Sequence, residues 1–178
     1  MRVVEGIADV DDVDAFVARL GEIGAAHGCA VQAFDARYVV DRAHLESAVG
    51  HANRSVARGE AVADDRAVEI LLYAAGRRQI REALAIGVEE GETPAAVVVD
   101  DGTLRPDGRT DASDERGRSE RDAAERVREL LRPAATLGDP STERITDFFD
   151  VSDAERRASD ASLSALVRER VALLDVEK

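Results

Sequence analysis

The chain has almost no lysine: 23 of its 24 basic residues are arginine, and the one lysine is Lys178. Its 37 acidic residues give a net charge of −13. This composition is typical of proteins from cells that hold molar salt, where the Debye length shrinks to about 3 Å and an acidic surface no longer repels itself. We therefore interpret the acidity as an adaptation to a salt-rich, halophilic cytoplasm. An acidic protein of an ordinary cell that avoids nucleic acid is the alternative.

Cysteine, aromatic residues and long apolar runs are also scarce. The single cysteine, Cys29, excludes an internal disulfide and a cysteine-based zinc site. With no Trp, two Tyr and four Phe, the core must be built from Val, Ala, Leu and Ile. The chain has no apolar run near the length of a membrane span, and acids follow Val3 and Val4 where a signal peptide would lie. We expect a cytoplasmic protein.

The motifs of common enzyme classes are missing as well. There is no Walker glycine loop, no Gly-x-Ser-x-Gly elbow, no kinase His-Arg-Asp and no His-Glu-x-x-His. His44 and His51 lie seven residues apart on a predicted helix, a separation of about 10 Å along the axis, and no carboxylate is placed to complete a metal site. We predict a protein that is not an enzyme and has no catalytic residue, metal or cofactor.

The pattern of apolar residues predicts strands and helices in alternation within one domain of residues 1–178. Strands are predicted at residues 3–10, 29–37, 68–74 and 95–100. A first helix follows an N-cap at Asp11 or Asp12, runs through Ile23 and is ended by Gly24 and His27-Gly28. Further helices are predicted at 41–58, 77–86 and 122–131, and a short helix that packs two aromatic rings at 141–150. A capping box at Ser152–Glu155 begins a long C-terminal helix. Residues 101–119, rich in Asp, Gly, Arg and Ser, are predicted to form a mobile acidic loop. The fold class is α/β (α+β), with a small mixed or antiparallel four-stranded sheet covered by helices.

The most informative segment, residues 69–84, combines an apolar run with three arginines. Ile70–Tyr73 has no alternation and is predicted to be a strand buried on both faces, followed by Gly76 and an arginine-bearing helix. Such a helix start offers backbone N–H groups and guanidinium groups to an anion. An ordinary βα unit with solvated arginines is the simpler interpretation. Residues 37–81 carry eight Arg and six acidic residues, so this is the one part of an acidic chain with a net positive charge.

This basic segment predicts a nucleic-acid-binding surface. Because concentrated salt weakens phosphate pairing, we expect stacking and base-edge hydrogen bonds to dominate, with Tyr38 or Tyr73 as a stacking ring. The predicted binding residues are Arg54, Arg58, Tyr73, Arg77, Arg78, Gln79 and Arg81.

The same segment carries a family resemblance. Glu-Ile-Leu-Leu-Tyr-Ala-Ala-Gly-Arg-Arg-Gln-Ile at residues 69–80 resembles the signature of the CGI-type regulatory subunit of the KEOPS complex, the PRPK-binding protein family. Residues 32–39, His44-Leu45 and 57–59 are similar to that family in the same order. The resemblance implies a non-catalytic subunit that binds the atypical kinase of KEOPS. It also implies that the subunit helps the complex hold tRNA, by its single-stranded 3′ CCA end, for threonylcarbamoylation of adenosine next to the anticodon.

Family members dock on the N-terminal lobe of the kinase through apolar helix surface, and on that basis we place Leu163, Leu166 and Arg170 at the kinase contact. Two other functions stay open from the residues. A small α/β enzyme or binding domain could hold a phosphorylated metabolite at the Gly76-Arg77-Arg78 turn. A structural adaptor could use the basic segment to bind an acidic protein.

Overall fold

The computed structural model describes residues 1–102, 115–158 and 161–175. The chain forms two compact units. We call residues 1–35 and 87–136 the sheet unit, and residues 36–86 and 137–178 the helical unit. The prediction that the chain is one domain stays a prediction.

The described residues contain four strands and eight α-helices. The strands are β1 (Arg2–Val10), β2 (Ala30–Asp35), β3 (Gly91–Asp100) and β4 (Leu131–Pro133). The helices are α1 (Val13–His27), α2 (Arg42–Arg58), α3 (Arg66–Ala75), α4 (Ile80–Ala83), α5 (Glu115–Arg128), α6 (Thr142–Phe148), α7 (Asp153–Ala158) and α8 (Leu163–Leu173). Short 3₁₀ helices lie at Ala36–Tyr38 and Leu84–Ile86. None of the described helices is long and apolar enough to cross a membrane.

The sheet unit is a four-stranded antiparallel sheet in the order β2-β3-β1-β4, which confirms the predicted fold class. Within this unit α1 and α5 pack on the sheet. The residues between them are mostly small and aliphatic, among them Val4, Val97 and Val99 from the sheet. At Gly6 a Cβ would lie 2.8 Å from the carbonyl oxygen of Arg132, so glycine permits the close approach of β1 and β4.

The predicted strand at residues 68–74 is wrong, because these residues lie in helix α3. Asp65 caps its start by accepting hydrogen bonds from Ala67 N at 2.6 Å and Val68 N at 3.4 Å. Gly76 ends it with a left-handed φ of 59°. The run from Glu69 to Ala75 is buried on every side of the helix, and a helix buried all round loses the polar stripe that distinguishes it from a buried strand.

Two further predictions near this segment need correction. The helix predicted at residues 77–86 is reduced to α4, which has four residues, and the 3₁₀ turn after it. The fourth strand in the sheet is β4, where the sequence predicted only the end of a helix at Pro133. The premise of a strand leading directly into an arginine-bearing helix therefore does not hold.

The C-terminal part is also divided differently from the prediction. Ser152 does cap a helix, since its Oγ accepts a hydrogen bond from Glu155 N at 3.1 Å. That helix, α7, has six residues, and the C-terminal helix α8 has eleven. Of the predicted mobile loop at 101–119, residues 103–114 lie outside the described residues, and residues 115–119 belong to α5.

Candidate functional site

The candidate site lies in the helical unit, at the turn that follows α3. Gly76 takes the left-handed conformation that ends the helix, and a Cβ there would meet the Cβ of Arg170 on α8 at 3.3 Å. Glycine is therefore required twice, for its φ and for the close packing of α8. The turn places Arg77, Arg78 and Gln79 between α3 and α4.

Arg77 is engaged in the helical unit. Its guanidinium donates hydrogen bonds to the carbonyl oxygen of Phe148 at 2.6 Å and to the carboxylate of Asp150 at 2.9 Å. The same group lies 5.4 Å from the centre of the Phe148 ring, within the range of a cation–π contact. These contacts fasten the turn to the end of α6, so Arg77 has a structural role whatever it binds.

Three predicted arginines differ from Arg77 in having no partner. Arg54 on α2, Arg78 in the turn and Arg81 on α4 are exposed, and none of their side chains forms an ion pair or hydrogen bond within the described part of the chain. Gln79 is exposed and does not cap α4 with its side chain. In an acidic chain these unpaired cations are available to an anionic ligand.

The other two predicted residues, Arg58 and Tyr73, meet at Asp175. Arg58 donates to Glu60 at 2.6 Å and lies 3.6 Å from a carboxylate oxygen of Asp175. The hydroxyl of Tyr73 donates a short hydrogen bond to Asp175, and its ring, which is fully buried, stacks on His51 at 5.6 Å. Tyr73 therefore has no free ring face on which a base could stack.

The pKa values of Tyr73 and Asp175 follow from their burial and their hydrogen bonds. Burial, followed by the hydrogen bond to Asp175, raises the pKa of Tyr73. Burial also acts to raise the pKa of Asp175. Hydrogen bonds from Tyr73 and His51 outweigh that effect and hold the pKa below its usual value. The Nδ1 of His51 lies 2.6 Å from the Asp175 carboxylate, so Asp175 ties the end of α8 to α2 and α3.

The predicted kinase-contact residues occupy different environments. Leu166 is 4% exposed and belongs to the core of the helical unit with Ile145, Phe149, Val151 and Val167. Leu163 is half-buried against that core. Arg170 donates to both carboxylate oxygens of Glu155, at 2.7 and 3.0 Å. The exposed apolar residue of α8 is Leu173, at 39%.

A small cavity of about 190 Å³ lies beside the turn. It is lined by Ala75, Gly76, Arg77, Phe149, Asp150, Arg170 and Leu173. The cavity brings two of the predicted residues, Arg77 and Arg170, to one place. Each guanidinium already has a carboxylate partner, Asp150 for Arg77 and Glu155 for Arg170. The cavity therefore offers little uncompensated charge to a small phosphate.

Sequence reasoning named Tyr38 as a stacking ring but missed the row to which it belongs, in which two aromatic rings lie between two arginines. The Arg144 guanidinium lies 5.6 Å from the centre of the Tyr38 ring, and Tyr38 meets Phe148 edge to face at 5.7 Å. Arg77 follows over the Phe148 ring. The available signal was the Phe148-Phe149 pair close to Arg144, in a chain with six aromatic residues.

The sheet unit contains the one group of side chains, among the described residues, that is arranged as metal ligands could be. Carboxylate oxygens of Asp100, Asp101 and Glu120 lie within 4.8 Å of one another. The amino nitrogen of Met1 lies 2.6 Å from Glu120 and 3.6 Å from Asp100, so it forms ion pairs with two of these three acids.

Comparison with protein families gives one match that covers almost the whole chain. The model of the family described as kinase binding protein CGI-121 matches residues 7–175. No curated protein matches the chain. The matched residues include the turn, the row of arginine and aromatic side chains and helix α8. The chain therefore belongs to the CGI-121 family of kinase binding proteins.

Proposed function

We propose that this chain is a non-catalytic regulatory subunit of the KEOPS complex, which binds the atypical kinase subunit and supports formation of threonylcarbamoyladenosine in tRNA. The observation that carries the proposal is the match to a kinase-binding family over residues 7–175. The resemblance of residues 69–80 to the KEOPS subunit signature supports the choice of complex. We propose further that the protein works in a salt-rich cytoplasm, which its charge of −13 and single lysine support.

The kinase partner is tested by recovery of the complex. Tagged protein purified from its native cells in concentrated KCl is expected to bring down an atypical kinase, identified by mass spectrometry, together with tRNA. A tagged, unrelated acidic protein from the same cells is the control for non-specific capture. Folded protein that recovers neither kinase nor tRNA would contradict the proposal.

The kinase contact is proposed on α8, at Leu163, Arg170 and the exposed Leu173. Leu166 was predicted there too, but a charge at this core position would unfold the helical unit before it could report on binding. Leu173→Glu places a charge on the exposed part of the same helix and is expected to break the complex. Leu84→Glu is the matched control, because Leu84 is 58% exposed and lies after α4. If Leu84→Glu abolished kinase binding and Leu173→Glu did not, the kinase contact would not lie on α8.

The tRNA contact is proposed at Arg54, Arg78 and Arg81, whose side chains are unpaired among the described residues, and at Gln79, which follows Arg78 in the turn. A variant with Arg78→Ala and Arg81→Ala is expected to lose tRNA affinity and keep the fold, since neither side chain has a partner among the residues that the structure describes. Arg77→Ala is a poorer test, because it removes the bonds to Phe148 and Asp150. Unchanged tRNA binding by the double variant would exclude these residues from the contact.

The alternative of a phosphorylated metabolite at the Gly76-Arg77-Arg78 turn loses its main support. It relied on a strand that ends at a helix start, whereas α3 precedes the turn and α4 has four residues. A melting scan with inorganic phosphate and nucleotides distinguishes a metabolite-binding domain from a KEOPS subunit. A ligand present at 100 times its dissociation constant raises the free energy of unfolding by about 2.7 kcal/mol, and we expect no such shift.

A further inference from the structure

Three carboxylates meet in the sheet unit where β3 ends. Asp100 is the last residue of β3, Asp101 follows it, and Glu120 lies on α5, which packs against β3. One oxygen atom from each carboxylate lies within 4.8 Å of the other two. Two ligands on opposite sides of a calcium ion are about 4.6 to 5.2 Å apart, twice the usual Ca–O distance. These oxygens are therefore close enough to share one cation.

Burial distinguishes this cluster from acids on the surface of the same unit. Asp100 is 2% exposed and Glu120 is 0% exposed, whereas Asp122 and Glu125, on the same helix as Glu120, are exposed. A carboxylate that has been removed from water is stable only when cations or hydrogen-bond donors replace the lost solvent. The buried carboxylates of Asp100 and Glu120 therefore need such partners.

The ammonium group of Met1 and two backbone amides meet part of this need. The Met1 nitrogen lies 2.6 Å from Oε1 of Glu120 and 3.6 Å from Oδ1 of Asp100. Oε1 of Glu120 also accepts a hydrogen bond from Asp101 N at 3.2 Å, and Oδ2 of Asp100 accepts one from Gly102 N at 2.9 Å. In the described part of the chain, both groups that reach Glu120 therefore contact the same oxygen.

The other oxygen of Glu120, Oε2, has nothing to satisfy it. It is buried, and no hydrogen-bond donor reaches it among the residues that the structure describes. A buried carboxylate oxygen without a partner is more costly than an unpaired neutral group, because it carries part of an ionic charge. Oε2 shares its carbon with Oε1 and so lies at the same cluster of acids. A cation bound there would satisfy the oxygen that the Met1 ammonium leaves alone.

The chemistry of the ligands indicates which cation the cluster would take. Each of the three residues offers a carboxylate oxygen, and hard oxygen ligands suit Ca²⁺ and Mg²⁺ rather than Zn²⁺ or copper. Mg²⁺ keeps several of its waters and demands octahedral geometry. Ca²⁺ accepts irregular sets of carboxylates, including one that binds through both oxygens. Because two of the three carboxylates are closed to water, the cluster favours Ca²⁺.

We propose that Asp100, Asp101 and Glu120 form a calcium-binding site, in which Oε2 of Glu120 is a ligand. The bound ion links the end of β3 to α5 and stabilises the sheet unit. The inference is independent of the proposed function, because the kinase and tRNA contacts are proposed on residues of the helical unit.

The test measures binding of Ca²⁺ and of Mg²⁺ to the full chain by isothermal titration calorimetry. Metals are first removed with EDTA, and the KCl concentration is held fixed. The wild-type chain is expected to bind Ca²⁺ at a single site and Mg²⁺ more weakly. In a melting scan, Ca²⁺ at 100 times its dissociation constant should raise the melting temperature by about 5 to 10 °C.

Matched variants identify the site. Glu120→Gln keeps the size of the side chain and removes its charge, and it is expected to weaken Ca²⁺ binding by about 10-fold or more. Glu125→Gln is the control, because Glu125 is an exposed acid on the same helix, and it should keep the wild-type affinity. Should Glu120→Gln fail to fold, Asp101→Asn decides, because Asp101 is less buried than Glu120. It too should weaken Ca²⁺ binding by about 10-fold.

The outcomes separate a specific site from diffuse binding of cations to an acidic chain. Equal Ca²⁺ affinity in the wild type, Glu120→Gln and Asp101→Asn would mean that the ions bind elsewhere, and it overturns the site. A wild-type chain that gives neither a calorimetric signal nor a melting shift overturns it as well. Tighter binding of Mg²⁺ than of Ca²⁺ overturns the assignment to calcium. None of these results tests the kinase or tRNA contacts, so the proposed function stands or falls separately.

Discussion

The core of the sheet unit and the α2–α3 pair of the helical unit are stabilised by different interactions. Between the sheet, α1 and α5, the buried residues are mainly Val, Ala, Leu and Ile. Between α2 and α3, buried polar groups accompany the apolar ones, notably His44, Ser55 and Glu69. The sheet unit also buries polar side chains, namely Asp35, Thr93, Asp100 and Glu120. Its apolar cluster nevertheless rests on contact area, whereas the contact of α2 with α3 also contains hydrogen bonds that single substitutions can remove.

Among the substitutions that test this comparison, the largest loss of unfolding free energy is expected at Glu69. This buried carboxylate accepts hydrogen bonds from Ser55 Oγ, Val62 N and Ala63 N, each at 3.0 Å. Glu69→Ala leaves those donors without their acceptor and should lower the free energy of unfolding by about 3 kcal/mol or more. Urea unfolding followed by circular dichroism measures it.

Glu46→Ala is the control for Glu69, because Glu46 forms an exposed ion pair with Arg42 on α2. It is expected to change the free energy of unfolding by less than about 0.5 kcal/mol. Equal losses from the two variants would mean that the hydrogen bonds of Glu69 contribute little to the helix pair.

A smaller effect is expected from a cavity in the sheet core. Val97 is fully buried on β3, and Val97→Ala removes the equivalent of two methylene groups, which should cost about 2 kcal/mol of unfolding free energy. Because no titratable group is removed, the loss should be the same at pH 5 and pH 8. Val17→Ala, at a position 52% exposed on α1, should cost close to nothing. If the loss of unfolding free energy in Val97→Ala differed between pH 5 and pH 8, the proposed difference between the two regions would be wrong.

The smallest effect is a pH dependence carried by His44. Its Nε2 lies 2.8 Å from the carbonyl oxygen of Ala74, and burial lowers its pKa despite the opposing effects of that bond and of Asp41. The folded state then binds its proton at lower pH than the unfolded chain, whose ordinary pKa is 6.5. The stability that neutral, buried His44 contributes is therefore fully present above about pH 6.5. It is lost as the pH falls from there towards the pKa of His44 in the folded state.

His44→Gln removes the titrating group and keeps a side-chain donor for Ala74. We expect its unfolding free energy to fall less steeply than that of the wild type between pH 7 and pH 5, as measured by urea unfolding at fixed salt. The same slope in both proteins would assign the pH dependence to other groups.

The predictions from sequence succeeded where an element is defined by its own residues. Helices α1 and α2 carry Asp12 and Asp41 at their start and Gly28 and Gly59 at their end, and both were predicted close to their observed bounds. Strand β1 was predicted within one residue of its observed start, from the apolar residues between Val3 and Val10. The two Asp caps and the left-handed glycines are local signals that tertiary contacts did not override.

The predictions failed where burial removed the pattern that distinguishes one element from another. Asp65 and Gly76 mark the limits of α3 in the sequence, but the uniformly apolar run between them matched a buried strand equally well. The candidate site shows the same limit. Arg54, Arg78 and Arg81 could be chosen from charge alone, whereas the partners of Arg77 and Tyr73 lie 73 and 102 residues away.

The sequence alone determined the acidic, arginine-based composition, the fold class and the family resemblance of residues 69–80. Each of these depends either on the amino-acid composition or on residues that are neighbours in the chain. Only the tertiary structure decided which arginines are unpaired, that Tyr73 and Leu166 are buried, and that Tyr38 and Phe148 meet between two guanidiniums. Those facts depend on contacts between residues far apart in the chain, and a contact of that kind has no signature in the local sequence.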